Sequence, residues 1–175
     1  VKDNFEDFIQ LYSGRAFHFG NPREEEVHIE DIAHALSLLC RFGGHCREFY
    51  SVADHSIRCA ENVPEEFKLE ALLHDATEAY LVDMPRPIKY ALQGYRDIEE
   101  NIDKVVRKKF NLPSDMSLEV KNIDAVMLST ERRDLMQPSE LEWHKMPDPL
   151  SGIVYPRTPR ESYNDFLQMY HDLIS

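Results

Sequence analysis

The chain has only three cysteines in 175 residues, Cys40, Cys46 and Cys59. Their number is odd and no two are spaced C-x-x-C, which argues against a disulfide framework and against a zinc knuckle and fits a reducing cytoplasm. No apolar run approaches the ~20 residues of a membrane span, and the N-terminal residues lack the apolar core of a secretory signal. There is no internal repeat and no low-complexity tract. Basic residues are also short: 20 Lys and Arg face 32 Asp and Glu, a net charge of −12. That balance argues against the broad electrostatic footprint of a protein that binds a nucleic-acid polymer, and its simplest meaning is a well-solvated surface. A small anionic substrate is still admissible. It would need cations concentrated locally, from a metal or a few Arg and Lys, against an unfavourable overall field.

What is present reads as one domain, residues 1–175, with enough apolar content (42%) for a real core. Around residues 6–28, the aromatic alternation of Arg15-Ala16-Phe17-His18-Phe19 and the Gly20-Asn21-Pro22 turn suggest a small β-hairpin. From about Ile29 the periodicity is helical, with Ile32, Ala35, Leu36 and Leu39 on one face and Gly43-Gly44 as the stop. A second helix is expected over 51–61, and a third from near Pro64 to about Leu81. Pro85 and Pro87 should impose an extended connection. Further helices are expected around the Ile98-to-Phe110 stripe and from about Ser117 to Leu135. Residues 137–159 hold five of the ten prolines and read as a long irregular segment, a feature that in a compact domain is often functional. Thr158-Pro159-Arg160-Glu161 is a capping box opening a last helix over 159–174. The fold class is therefore all-α, a helical bundle with a small N-terminal hairpin.

The stretch ALLHDATEAYLVDMPRPIK, residues 71–89, sets the chemical problem. On a helical wheel, Leu69, Leu72, Leu73, Ala76 and Tyr80 fall on one side, and Phe67, Ala71, His74, Asp75 and Glu78 on the other. A helix apolar on both faces near its middle is a buried one, yet this one carries an imidazole and two carboxylates. Burying them unpaired would cost far more than packing returns. Either the acids form a solvated face, or a divalent cation offsets their charge and fixes the imidazole. Asp124 repeats the anomaly, central in the stripe of Val120, Met127 and Leu128. His55, nineteen residues before His74, taken alone would ordinarily be a hydrogen-bonded structural histidine.

A His, then a His-Asp dipeptide on a helix, then a distant Asp resembles the HD superfamily of metal-dependent phosphohydrolases. Four blocks in order carry the likeness: DIAHALSLLCRFGGH, FYSVADHS, ALLHDATEAYLVDMPRPIK and VKNIDAVMLSTERRDL. They are similar to the small HD proteins that include bacterial and prophage-encoded 5′-deoxynucleotidases, over roughly residues 10–135. The resemblance implies that His55, His74, Asp75 and Asp124 ligate one divalent metal. It implies that Glu78 activates the attacking water and that Asp83 protonates the leaving oxygen. Arg41-Phe42 matches an Arg-aromatic pair that holds phosphate and sugar, with Phe42 standing where relatives carry Trp.

Two imidazoles and two carboxylates suit Co, Mn, Zn or Fe, with Mg also accommodated, and leave coordination positions open. Arg41, Lys89 and Lys121 are the nearby cations available for phosphate. The expected function is metal-dependent hydrolysis of a deoxynucleoside 5′-phosphate, foremost as a 5′-deoxynucleotidase releasing inorganic phosphate. The alternatives are a triphosphohydrolase that, like the phage enzymes editing the dATP pool, releases triphosphate whole, and a non-catalytic HD module that binds a nucleotide. The expected partner is a small deoxynucleotide rather than a nucleic-acid polymer or a membrane. The expected place is the cytoplasm, that of the host if the chain is phage-encoded, and the resemblance admits a homo-oligomer.

Overall fold

A computed structural model describes residues 8–141, 143 and 146–175. The start of the expected hairpin, residues 6 and 7, and His144 in the proline-rich segment lie outside the described residues. The chain is mostly helical with one small antiparallel hairpin, as its patterning implies. The hairpin pairs β1 (Phe8–Gln10) with β2 (Ala16–His18), Ile9 lying opposite Phe17. Its turn occupies residues 11–15, where Leu11 donates to the Arg15 carbonyl and Gly14 adopts φ +82°, so the turn precedes the aromatic alternation and is not at Gly20-Asn21.

Helix α1 (Ile29–Leu38) opens with Glu30 and Asp31 in its first turn, the sign the helix dipole favours, and buries Ile29, Ile32, Ala33 and Leu36. It ends earlier than the glycines suggest. Leu39 turns extended, Cys40 bridges to Ser51, and backbone bonds from Val52 to the Leu39 carbonyl (3.0 Å) and from Arg41 to the Tyr50 carbonyl (2.9 Å) run across the chain instead of along a helix. A single 3-10 turn, Arg41–Gly44, follows, with Phe42 and Gly43 at left-handed φ of 57° and 59°.

Helix α2 (Val52–Glu61) is the centre of the bundle. Ser51 caps it by accepting from the Asp54 amide, and α1, α3, α7 and α8 all pack on it. Eight of its ten residues are buried, all but Arg58 and Glu61. The expected helix to Leu81 is instead three pieces: a 3-10 turn Glu65–Phe67, α3 (Lys68–Leu73) and α4 (Glu78–Leu81). The reason is local. His74 Nδ1 donates to the Ala71 carbonyl (2.7 Å), the acceptor that an unbroken helix would offer to Asp75, and the next amides tighten to i−3 partners, Ala76 to Leu73 and Glu78 to Asp75, both at 3.0 Å.

Pro85 and Pro87 do not hold the chain extended beyond residue 85. They occupy the N-cap and first turn of α5 (Arg86–Ala91), positions where a missing N–H costs nothing. Helices α6 (Tyr95–Lys109), α7 (Leu118–Leu135, capped by Ser117) and α8 (Pro159–Ile174, with its capping box) follow as their patterns imply. Tyr50, Phe17, Phe166, Ile32, Leu36, Ile57 and Leu72 form the fully buried core, each stabilising the fold by about 1.5–3 kcal/mol.

The irregular segment between α7 and α8 is tied down by side chains. Leu150 N donates to Thr130 Oγ1 (2.9 Å), Val154 N to Asp134 Oδ2 (2.9 Å), and Arg157 N and Nη1 to Asp54 (2.8 and 2.6 Å). Those three backbone amides are thereby satisfied by α7 and α2. Among the described residues no helix is long and apolar enough to cross a membrane.

Candidate functional site

Two histidines meet at the middle of the bundle, His55 from α2 and His74 from the tightened turn after α3. Their Nε2 atoms face one another at 3.3 Å, and both side chains are buried. Each opposite ring nitrogen is committed to an acceptor: His74 Nδ1 to the Ala71 carbonyl (2.7 Å) and His55 Nδ1 to Glu131 Oε1 (2.6 Å). A carbonyl or carboxylate can only accept, so both Nδ1 atoms carry a proton, and in the neutral rings both Nε2 atoms present lone pairs. Two bare lone pairs cannot sit at that distance without something positive between them. A proton or a metal ion answers that need.

The surroundings favour the ion. Asp75 Oδ2 lies 3.3 Å from His74 Nε2 and 3.7 Å from His55 Nε2, while Asp124 Oδ1 lies 3.3 and 4.0 Å from His55 and His74. These separations match the ~3.4 Å edge of a tetrahedron with bonds of ~2.1 Å. Cys59 Sγ approaches His55 Nε2 to 3.5 Å, and donor atoms of His55, Cys59 and His74 all fall within 4.8 Å of one another. This buried His-Cys-His group can bind a metal ion, with the two carboxylates at its open side.

Electrostatics reflect the crowding. Burial and Arg41 both oppose charge on His55, yet Cys59, Glu131 and Asp124 outweigh them and hold its pKa well above the ordinary value. Burial would raise the Asp124 carboxyl, but the hydrogen bond to His55 and the pull of both imidazoles and Arg41 bring it far below its usual range. Glu78 goes the other way: burial first, then the neighbouring charges of Asp75 and Asp83, push it well up. Asp83 is raised mainly by burial, with Asp75 adding and Arg41 opposing.

Glu78 also stands apart in its bonding. The buried acids Glu26, Asp31, Asp54, Glu70 and Glu131 are each held by cationic, hydroxyl or amide donors. Glu78 Oε2 is buried with no partner among the described residues. It sits at the first position of α4, just past the His74-Asp75 turn, and two residues beyond α4 comes Asp83. Between them Val82 is at φ 64°, ψ 163°, a region almost confined to glycine. That strained residue turns the chain sharply where Asp83 leaves α4.

Arg41 is brought to the cluster, buried, donating through Nε to Glu131 Oε2 (3.2 Å) and through Nη1 to Asp75 Oδ2 (3.4 Å). Its guanidinium lies 5.5 Å from the centre of the Phe42 ring, which in turn neighbours Trp143 at 6.4 Å. Lys89 is half-buried and bound to Glu99 at 2.6 Å, against the Tyr95 ring. Lys121 is exposed on α7 one turn before Asp124. Of the three cations singled out in the sequence, only Arg41 touches the cluster directly.

Sequence reading missed Cys59, Tyr50 and Glu131. Cys59 follows His55 by one helical turn, and Glu131 follows Asp124 by two, so same-face spacing was the signal for both. His34 of α1 stacks on Tyr12, ring centroids 3.6 Å apart.

No family model matches the chain. It is 44% identical over 173 residues to the uncharacterized protein YfdR of Escherichia coli K12, an alignment covering 95% of each chain. It is 31% identical over 185 residues to an uncharacterized protein of Rhodobacter capsulatus, covering 94% of each. With identity of that level extending over nearly the full length of both proteins, this chain belongs to the family of YfdR.

Proposed function

We propose that the protein is a metal-dependent phosphohydrolase of the HD type, acting on deoxynucleoside 5′-phosphates and foremost as a 5′-deoxynucleotidase. The observation that carries this reading is the pair of Nε2 atoms 3.3 Å apart, each with its other nitrogen committed, beside two carboxylates and an unpartnered buried Glu78. His55, His74, Asp75 and Asp124 would hold one divalent ion, with Co, Mn, Zn or Fe the suited metals and Mg also accommodated. Such an ion supplies a Lewis acid for a phosphoryl oxygen and a water of lowered pKa.

The remaining work falls to the chain's own groups. Glu78 takes the proton of the attacking water. Its raised affinity for protons derives from burial and from the charge of Asp75, which a cation would offset. Asp83, also raised, is suited to carry a proton to the leaving 5′ oxygen. Arg41 is pre-set by Glu131 and Asp75 to receive a phosphate oxygen, a charge-assisted contact. Phe42, at its left-handed corner beside Arg41, would meet the sugar.

A monophosphate is favoured over a triphosphate because a single buried arginine is the cation held against the cluster, while Lys89 is committed to Glu99. A product assay tests the reading. Protein stripped of metal and resupplied with Co, Mn, Mg or Zn is given each dNMP, dNTP and matching ribonucleotide. Inorganic phosphate from dNMPs is the expected result. Nucleoside plus intact triphosphate would move the activity to triphosphohydrolysis. No metal-dependent product from any of them would overturn the enzyme reading and leave a nucleotide-binding module.

A further inference from the structure

Glu131 is the most completely enclosed acid near the cluster, with a fully buried side chain toward the C-terminal end of α7. A carboxylate at such a depth costs several kcal/mol unless its oxygens are filled, and here they are filled by site residues. Oε1 accepts from His55 Nδ1 (2.6 Å) and from the Tyr50 hydroxyl (2.8 Å), and Oε2 accepts from Arg41 Nε (3.2 Å). The other buried acids differ in kind. Asp54 binds Arg58 and Arg157, and Glu70 binds Arg107 and the Ser117 amide, contacts that tie elements together and touch none of the cluster's donors.

Building on the metal reading above, we propose that Glu131 is a positioning residue that fixes His55 as its Nδ1–H tautomer and sets Arg41 beside the same centre. One carboxylate then governs both cation affinity and capture of the phosphate. His74 obtains its tautomer from a backbone carbonyl, which no substitution removes. His55 depends on this single side chain. Asp124 and Glu131, seven residues apart on α7, lie on one helix face, so the same rigid element delivers a carboxylate to each nitrogen of His55.

In Glu131→Gln the shape is kept, but an amide cannot accept from both His55 and Arg41. With its oxygen on His55, its NH2 confronts the guanidinium. Flipped, it donates to Nδ1 and drives the proton to Nε2, where the ion would bind. Tyr50→Phe serves as a control, deleting another bond to the same oxygen without touching His55 or Arg41. The experiment is a Co2+ titration followed by visible absorption, with circular dichroism to check folding. Glu131→Gln should bind Co2+ about 10–100-fold more weakly than the parent, and Tyr50→Phe less than about tenfold more weakly. At saturating Co2+ the KM of Glu131→Gln for a deoxynucleoside monophosphate should rise by more than kcat falls, because Arg41 has lost its support.

A folded Glu131→Gln protein that binds Co2+ within about twofold of the parent would overturn the inference and leave the metal site standing. A parent protein that binds no Co2+ would overturn both. If Glu131→Gln fails to fold, proton NMR of the Zn2+-loaded parent decides. A slowly exchanging proton on His55 Nδ1, shifted downfield by its carboxylate partner, is expected, and a proton found on Nε2 instead would refute the tautomer.

Discussion

Replacing Glu78 by Gln separates turnover from metal binding more cleanly than any other change at the site. The side chain is buried, its Oε2 has no partner among the described residues, and it is not one of the four groups around the Nε2 pair. Losing a positioned general base costs about 10²–10⁴-fold in rate, or roughly 2.7–5.4 kcal/mol in the barrier. Stability should move the opposite way. In the metal-free protein the folded-state pKa of Glu78 lies above the unfolded value of about 4.3. The contribution of its proton is therefore full below that unfolded value and is lost as pH rises through the folded one, at about 1.4 kcal/mol per pH unit between the two.

At pH 8 the parent thus carries an unfavourable buried charge that Gln lacks. Glu78→Gln should melt at or above the parent at pH 8 in chelator, bind Co2+ with near-parental affinity, and lose 10²–10⁴ in kcat on a deoxynucleoside monophosphate. A kcat within about tenfold of the parent would refute the assigned role. A variant that melts clearly lower at pH 8 would refute the electrostatic reasoning behind it.

Saturating Co2+ at about 100 times its Kd should stabilise the parent by about 2.7 kcal/mol, or roughly 5–11 °C in Tm for a domain of this size, and His74→Ala should abolish that shift in a thermal melt. Asp54→Ala removes a fully buried carboxylate shared by Arg58 and Arg157 and should cost about 3–5 kcal/mol in urea unfolding, since it also releases the segment before α8. Burial and the Cys40 sulfur 3.6 Å away push the Cys46 thiol up to about 11. Its alkylation by iodoacetamide, followed by mass spectrometry, should therefore stay slow at pH 8 and accelerate toward pH 11, because only the thiolate attacks.

The helices bounded by clear terminal signals were the easiest to read. α6 and α8 have single apolar faces, and chemical punctuation bounds all three of α6, α7 and α8: Asn111-Leu112-Pro113 closes α6, and the Ser117 and Thr158 caps open the other two. Their limits follow from period and capping. Reading faltered where tertiary bonds displace local ones. α1 stops at Leu38 because its next carbonyls and amides are claimed by residues 50–52, a pairing no local window contains. The break after Leu73 comes from His74 taking the Ala71 carbonyl, so the residue that made the helix chemically odd is also the one that interrupts it.

The site shows the same division. His55, His74, Asp75 and Asp124 do converge, although a helical wheel could place only those on one helix together. Glu131 was passed over inside a quoted block because a polar residue in STERRDL resembles an ordinary solvated turn of helix. Only burial distinguishes it. Lys89 was read as a phosphate contact from its charge, whereas Glu99, ten residues on, takes its ammonium.

The most direct measurement is a crystal structure of protein equilibrated with Mn2+, Co2+ or Zn2+, with anomalous scattering recorded at the metal edge. A single ion should lie about 2.0–2.3 Å from His55 Nε2 and His74 Nε2, with Asp75 and Asp124 completing its protein ligands. An anomalous map without a peak there, or an ion held by Cys59 Sγ with neither carboxylate bound, would contradict the proposed centre.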